Sequence, residues 1–355
     1  MTSRRAPAVP RPTQRISGPG ELLQAVPYLL GFHPAQSVVL VGLNGKRVVV
    51  TARLDLADAQ LGAISYTLDT LSRAGSTSVI AVIYDDTATV REDDDDELPW
   101  QELAWDIETD AELVGCELIE VVLVSTGRYW SLVCDNLDCC PREGREVVHA
   151  GSAFSAAATY AGMVALPDRA SLETLLDPLP DAQREALRDA IGHAERAAVR
   201  DTIAGEGARY ERAVKRALFA AARASHTPKW AGTSGDDAAR FGAALRVLPI
   251  RDAVWMAIDD RRLDGRPLWR DLAHRLPSPY DAPALFLYGW ACWRHGDGAL
   301  ARIAATRVVQ SDADYTAGDL LLAALNQVVD PRRMPRLRSA PRRSERDGVR
   351  ADRLR

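Results

Sequence analysis

Residues 37–54 read SVVLVGLNGKRVVVTARL, and this stretch decides the fold. Ser37 to Leu43 is a strand-like apolar run, Arg47 to about Leu54 is a second, and Asn44-Gly45 stands between them. Asn-Gly between two β-branched runs predicts a hairpin on a type I′ turn, which needs positive φ at both central residues. Downstream the pattern changes to alternating helix and strand. Leu61, Ile64, Leu68 and Leu71 recur at helical spacing up to Gly75. Ser78 to Tyr84 is then a continuous apolar strand. Trp100, Leu103, Ile107, Ala111 and Val114 mark a second amphipathic helix. Leu118 to Val124 is a third strand, turned at Ser125-Thr126-Gly127-Arg128 into a partner spanning Tyr129 to Val133. Two of these strands are near-unbroken Val/Ile/Leu runs, as a sheet covered on both faces requires. The expected fold is an α/β N-terminal unit on a mixed, partly parallel sheet, with crossovers at its centre and hairpins at its edges.

Upstream, Ser17-Gly18-Pro19 opens a short helix that Pro27 should interrupt. After Gly144 the strand signals stop. Helices are expected at Ala153–Met163, Leu172–Leu176, Ala182–Val199 and Ala208–Ala224, and further helices from Ala238 to Val329. The last of these resemble a tetratricopeptide-like hairpin, with Gly289, Ala301 and Ala305 permitting close approach. The organisation follows: a disordered arm at 1–15, an α/β domain at 16–150, a helical segment at 151–224, and a linker at 225–236. A helical domain at 237–330 and a disordered Arg-rich tail at 331–355 complete it.

The chain carries a net −5. Four Arg in the first fifteen residues, and ten Arg against three acids from Arg332 onward, leave −16 on the body between. An acidic body disfavours nucleic acid, whose phosphates need clustered Lys and Arg; the tail remains able to meet an acidic partner. The longest late apolar run, Ala284 to Trp293, is half of the ~20 residues a membrane span needs. Five cysteines and no export signal argue against a disulfide framework and for a cytoplasmic protein.

The segment Ile16 to Leu23, continuing through PYLLGFHP at Pro27–Pro34, resembles the opening of an actinobacterial family known as a domain of unknown function. The likeness continues at Trp130, in the CxxxxCCP segment from Cys134 to Pro141, and at Gly144. It returns at Trp293 and Gly296-Asp297-Gly298-Ala299-Leu300-Ala301. It spans residues 16 to about 330. It implies a shared fold and a cytosolic setting, and brings no activity, cofactor or catalytic residue.

Chemistry has few candidates. Cys134, Cys139 and Cys140 lie within seven residues, with His149 nine beyond the last; three Cys and one His have the inventory of a zinc site. The spacing argues against it, since adjacent cysteines do not easily face one centre, and a Cys134–Cys139 thiol pair is the easier geometry. Buried packing beneath a loop is the plain alternative. Asp85-Asp86 closes the central strand, where α/β sheets bind ligands and paired carboxylates hold Mg²⁺; a turn-forming role competes. The run Glu92 to Glu97 is six adjacent acids, expected as a solvated loop. His33 is a possible general base without a recognisable nucleophile. Tyr288, Trp290 and Trp293 make either an aromatic wall or a helix core. No Rossmann or P-loop glycine pattern occurs at a strand-to-helix junction, and no cofactor is expected. The favoured reading is a non-catalytic interaction or regulatory protein with a protein partner. The alternative is an enzyme or thiol redox sensor working at the edge of the N-terminal sheet.

Overall fold

The computed structural model describes residues 18–90, 98–148, 153–160, 163–332 and 334–337. Residues 1–17, the acidic run, His149, Arg333 and residues 338–355 lie outside these. The elements in chain order are α1 (Pro19–Leu30), β1 (Ser37–Asn44) and β2 (Arg47–Asp55). A short α2 (Leu56–Asp58) and a π turn (Ala59–Ala63) lead into α3 (Ile64–Arg73), β3 (Ser78–Tyr84) and α4 (Gln101–Leu113). The sheet is completed by β4 (Glu117–Ser125), β5 (Arg128–Ser131) and the two-residue β6 (Arg145–Glu146).

The six strands lie in the order β2-β1-β3-β4-β5-β6. The β3–β4 pair is parallel, and the other neighbouring pairs are antiparallel. Two crossovers, β2-α3-β3 and β3-α4-β4, travel across the sheet in the same direction. Crossovers of one hand then place both helices on one face. Ile64, Leu68, Leu71, Leu103, Ile107 and Ala111 accordingly cluster with Val38, Leu40, Val79, Ala81, Ile83, Val121 and Leu123; the side chain of Leu61 lies outside the described residues. The alternate residues Val39, Val41, Val82, Val122 and Val124 point the other way, into the cluster that holds α1. Both faces are covered, as the unbroken Val/Ile/Leu runs require.

The hairpin forms where expected but on a different turn. Asn44 pairs with Arg47, so Gly45-Lys46 is the loop. Only Gly45 has positive φ there, at 56°, which fits a type II′ rather than a type I′ turn. The Asn44 side chain is engaged elsewhere, donating to Gly75 O at 2.8 Å. Pro27 does not interrupt α1. Its missing N–H costs one bond, but Leu22, Leu23, Ala25, Val26, Pro27 and Leu30 are all buried, and that packing outweighs the loss.

The helical half comprises α5 (Ala153–Tyr160), α6 (Arg169–Thr174), α7 (Asp181–Glu185), α8 (Arg188–Ile203) and α9 (Gly207–Ala224). It continues through α10 (Gly235–Leu245), α11 (Leu248–Asp259), α12 (Arg266–Arg275), α13 (Ala282–His295), α14 (Gly298–Ser311) and α15 (Thr316–Asn326). The helix expected over Ala182–Val199 is two helices. Arg184 is fixed by Asp281 Oδ2 at 3.1 Å and Leu276 O at 2.9 Å, and the chain turns directly after it. Among the described residues no helix is long and apolar enough to cross a membrane.

α13 is buried from Ala282 to Arg294 and pairs with α14. A Cβ at Gly289 would stand 3.0 Å from Ala304 Cβ, so the small residue is what lets the helices approach. Trp290 packs edge-on against Trp255 and Trp293 at 5.0 and 4.9 Å, which makes Tyr288, Trp290 and Trp293 core rather than a ligand wall. The two halves are also tied by backbone: His33 N–H donates to Leu166 O and Leu166 N–H to Gly31 O, both at 2.9 Å. One apolar cluster runs from the α1 face of the sheet through Leu172 and Leu176 into the helices. The chain does not leave this core at Asp330; Met334 and Leu337 still pack against it.

Candidate functional site

The carboxyl end of β3 is where the candidates begin. Asp85 is buried, and its carboxylate is already engaged. Oδ1 accepts from Thr87 N–H at 2.9 Å and Thr87 Oγ1 at 2.6 Å, and Oδ2 from Trp100 Nε1 at 2.9 Å. Burial raises its pKa, but hydrogen bonds from Thr87, Trp100 and the Gln36 side chain more than offset this and hold the carboxyl below its ordinary value. Asp86 is exposed and accepts from Thr126 N–H at 3.1 Å. The two acids therefore diverge: one is a structural acceptor and the other faces solvent.

Asp86 lines a pocket of about 260 Å³ with Thr87, Thr126, Arg128, Arg142 and Glu143. Its far wall belongs to the loop that follows β5. Ser131 ends that strand, its Oγ accepting from Val133 N–H at 3.3 Å and Cys134 N–H at 3.1 Å while donating to Glu120 Oε1 at 2.7 Å. This is why the strand expected to reach Val133 stops at Ser131. Burial raises the pKa of Glu120, against the bonds from Ser131 and Val121. The loop returns along the sheet through β6, a pairing too short to leave a sequence signal. Trp130 Nε1 donates to Arg142 O at 2.9 Å, and Arg128 donates to Glu143 O at 2.6 Å and Gly144 O at 2.9 Å. Gly144 sits at φ 70°, and a Cβ there would meet Trp130 Cε2 at 2.4 Å, so any side chain is strained and must displace the ring.

Within this loop the three thiols converge. Cys134 Sγ lies 3.3 Å from Cys139 Sγ, and Cys139 Sγ lies 3.7 Å from Cys140 Sγ. All three sulfurs fall within 4.8 Å of one another. The adjacent pair therefore does face one centre, contrary to the expectation from spacing. The reason is a tight turn: Cys139 and Cys140 both donate their N–H to Asn136 O, at 3.2 and 2.8 Å. Nor are the thiols buried beneath the loop, since Cys139 is exposed and the other two are partly so. The Asn136 N–H, followed by the Cys139 and Cys140 thiols, holds Cys134 below the usual thiol range. Cys140 is pushed up to about 12 by burial and by its two thiol neighbours.

The structure does not gather all the candidates in one place. The pocket is lined by Asp86 and by the loop's Arg142 and Glu143, while the cysteines come earlier in the same loop and do not line it. His33 is exposed at the corner before β1, and His149 lies outside the described residues. Sequence reading missed Arg128, Trp130 and Gly144 as the parts that brace the loop; the G144/W130 contact has no local signature.

Residues 19–332 match the family described as Domain of unknown function (DUF4192). The chain belongs to that family. No curated protein and no solved structure matches it. Membership in the DUF4192 family agrees with the resemblance to a domain-of-unknown-function family, and it assigns no chemistry to the braced thiol loop.

Proposed function

We propose that the chain is a non-catalytic, regulatory interaction protein, and that the loop from Val133 to Gly144 is its recognition element. The observation that carries this reading is the loop's construction. Its base is pinned by Arg128, Trp130 and Ser131, while Val133 at its start and Leu137 nearer its tip are 43% and 59% exposed. A rigid base with exposed apolar side chains suits docking, because little order remains to be lost on binding. The groups nearest a catalytic role argue the other way: Asp85 is saturated by internal donors, and the aromatic helix is core. In this reading the protein is a cytoplasmic, actinobacterial one, and PYLLGFHP and CxxxxCCP are family signatures, the second being the loop itself.

The test is purification of the full chain from its native cell after mild crosslinking. A stoichiometric protein partner should be retained by the wild type and lost from Val133→Asp/Leu137→Asp, with the circular dichroism unchanged. A chain that purifies alone, or a partner that binds the double variant equally well, would sink the proposal.

A thiol redox sensor is the second reading, favoured by the 3.3 Å approach of Cys134 and Cys139 sulfurs. Both thiols would lose a hydrogen to a peroxide-class oxidant and form one S–S bond. The intact mass would fall by two hydrogens and recover with reductant.

A further inference from the structure

We infer that Cys134, Cys139 and Cys140 form a Zn²⁺ site, the three thiolates supplying three ligands and water the fourth. The inference stands on the sulfur geometry, whether or not the loop docks on a partner. Zinc holds thiolate sulfur at ~2.3 Å in a tetrahedron, which places bound sulfurs about 3.8 Å apart. The sulfurs here already stand at 3.3 and 3.7 Å, with the third separation inside 4.8 Å. Loading the site needs adjustments of an ångström or less. Among the described residues this is the one such gathering of His, Cys, Asp or Glu ligand atoms.

The other two cysteines show what a packing thiol looks like in this chain. Cys116 and Cys292 are each buried singly, just before β4 and in α13. The loop cysteines differ in exposure and in having one another as neighbours.

The surroundings are those of a ligand set rather than a chance cluster. Asn136 O accepts from the N–H of both Cys139 and Cys140, and Asn136 Oδ1 accepts from Asp138 N–H at 2.9 Å, so the turn is fixed before any ion arrives. Arg145 Nε donates to Cys139 O at 2.8 Å and brings positive charge beside a centre whose three thiolates and Zn²⁺ sum to −1. The exposure of Cys139 leaves a side open for the fourth ligand. Binding is a proton-for-metal exchange: three thiols release three protons, three S–Zn bonds form, and no electron is transferred.

The experiment uses the full chain, purified under reductant and without a polyhistidine tag. Elemental analysis should find one zinc per chain. Titration of chelator-treated protein with Co²⁺ should develop thiolate-to-cobalt charge-transfer absorption, bleached by added Zn²⁺. Cys134→Ser, Cys139→Ser and Cys140→Ser should each weaken binding at least the ~100-fold that loss of an outer partner alone can cost. Cys116→Ser should leave it unchanged. A reduced, folded wild type that takes up neither ion overturns the inference, as does metal retained equally by all three serine variants. Should a variant fail to fold, the cobalt spectrum of the wild type still decides.

Discussion

Asp85 shows how far a residue can be read from its place in the chain. A carboxylate after an apolar strand is legible as a ligand or a turn former, and the structure makes it an acceptor for Thr87, Trp100 and Gln36. The saturation was not legible, because Trp100 and Gln36 approach from separate elements and nothing local announces them. Its energetic sign is definite. A carboxyl whose pKa is lowered on folding contributes stability above its unfolded pKa of ~4, and loses it as pH falls through the lower folded value. Urea unfolding of Asp85→Asn should therefore show a flatter acid limb than the wild type below about pH 4. Asp85→Ala, which orphans the Trp100 and Thr87 donors, should cost on the order of 1–3 kcal/mol at neutral pH. An unchanged acid limb would mean these bonds are made equally to the protonated acid.

At the scale of elements, strands were more legible than their ends. Period and apolar runs located β1 to β5; in β1, β3 and β4 consecutive positions are buried on both faces, while β2 at the sheet edge is only half-buried. The interruptions were less legible. Pro27 stays within α1 because tertiary packing overrides a local preference, and the break before α8 depends on Asp281, almost a hundred residues away. The thiol loop is the extreme case: its three cysteines are conspicuous, but their convergence rests on one turn at Asn136. Gly144 tests the brace beneath that turn. Any side chain there meets both an unfavourable φ and the Trp130 ring. Gly144→Ala should destabilise the protein by about 1–3 kcal/mol and shift the Trp130 emission, with the Arg142–Trp130 bond the first to go. Amide exchange in residues 141–146 should rise well before exchange in β3 does. Equal protection in variant and wild type would show that the ring moves aside without cost.

The whole molecule is held by burial that joins its halves, and one polar device inside it is large enough to test. Asp259, at the end of α11, is fully buried and lies against Arg294 of α13, which is itself buried. Arg294 Nε stands 3.0 Å from Asp259 Oδ1, though not in hydrogen-bonding alignment. Trp290 Nε1 donates to the same oxygen at 3.2 Å, and Leu337 N–H donates to Oδ2 at 2.7 Å. Arg294 also reaches Pro331 O, so one carboxylate and one guanidinium hold α11, α13 and the segment after Asp330 together. Burial lowers the Arg294 pKa against the pull of Asp259, as expected of a charge whose desolvation is only partly compensated. Removing one partner is then worse than removing both. Asp259→Ala should cost about 3–5 kcal/mol, because it leaves a buried cation and two orphaned donors. The double change Asp259→Ala/Arg294→Met should recover more than half of that loss, since no uncompensated charge remains. The segment 331–337 should still become susceptible to trypsin at Arg332 and Arg336 in both variants, its anchor at Asp259 being gone. Thermal unfolding of the four proteins of the cycle gives the coupling directly. Additive losses would mean that the pair is held apart by the surrounding core and contributes little by itself.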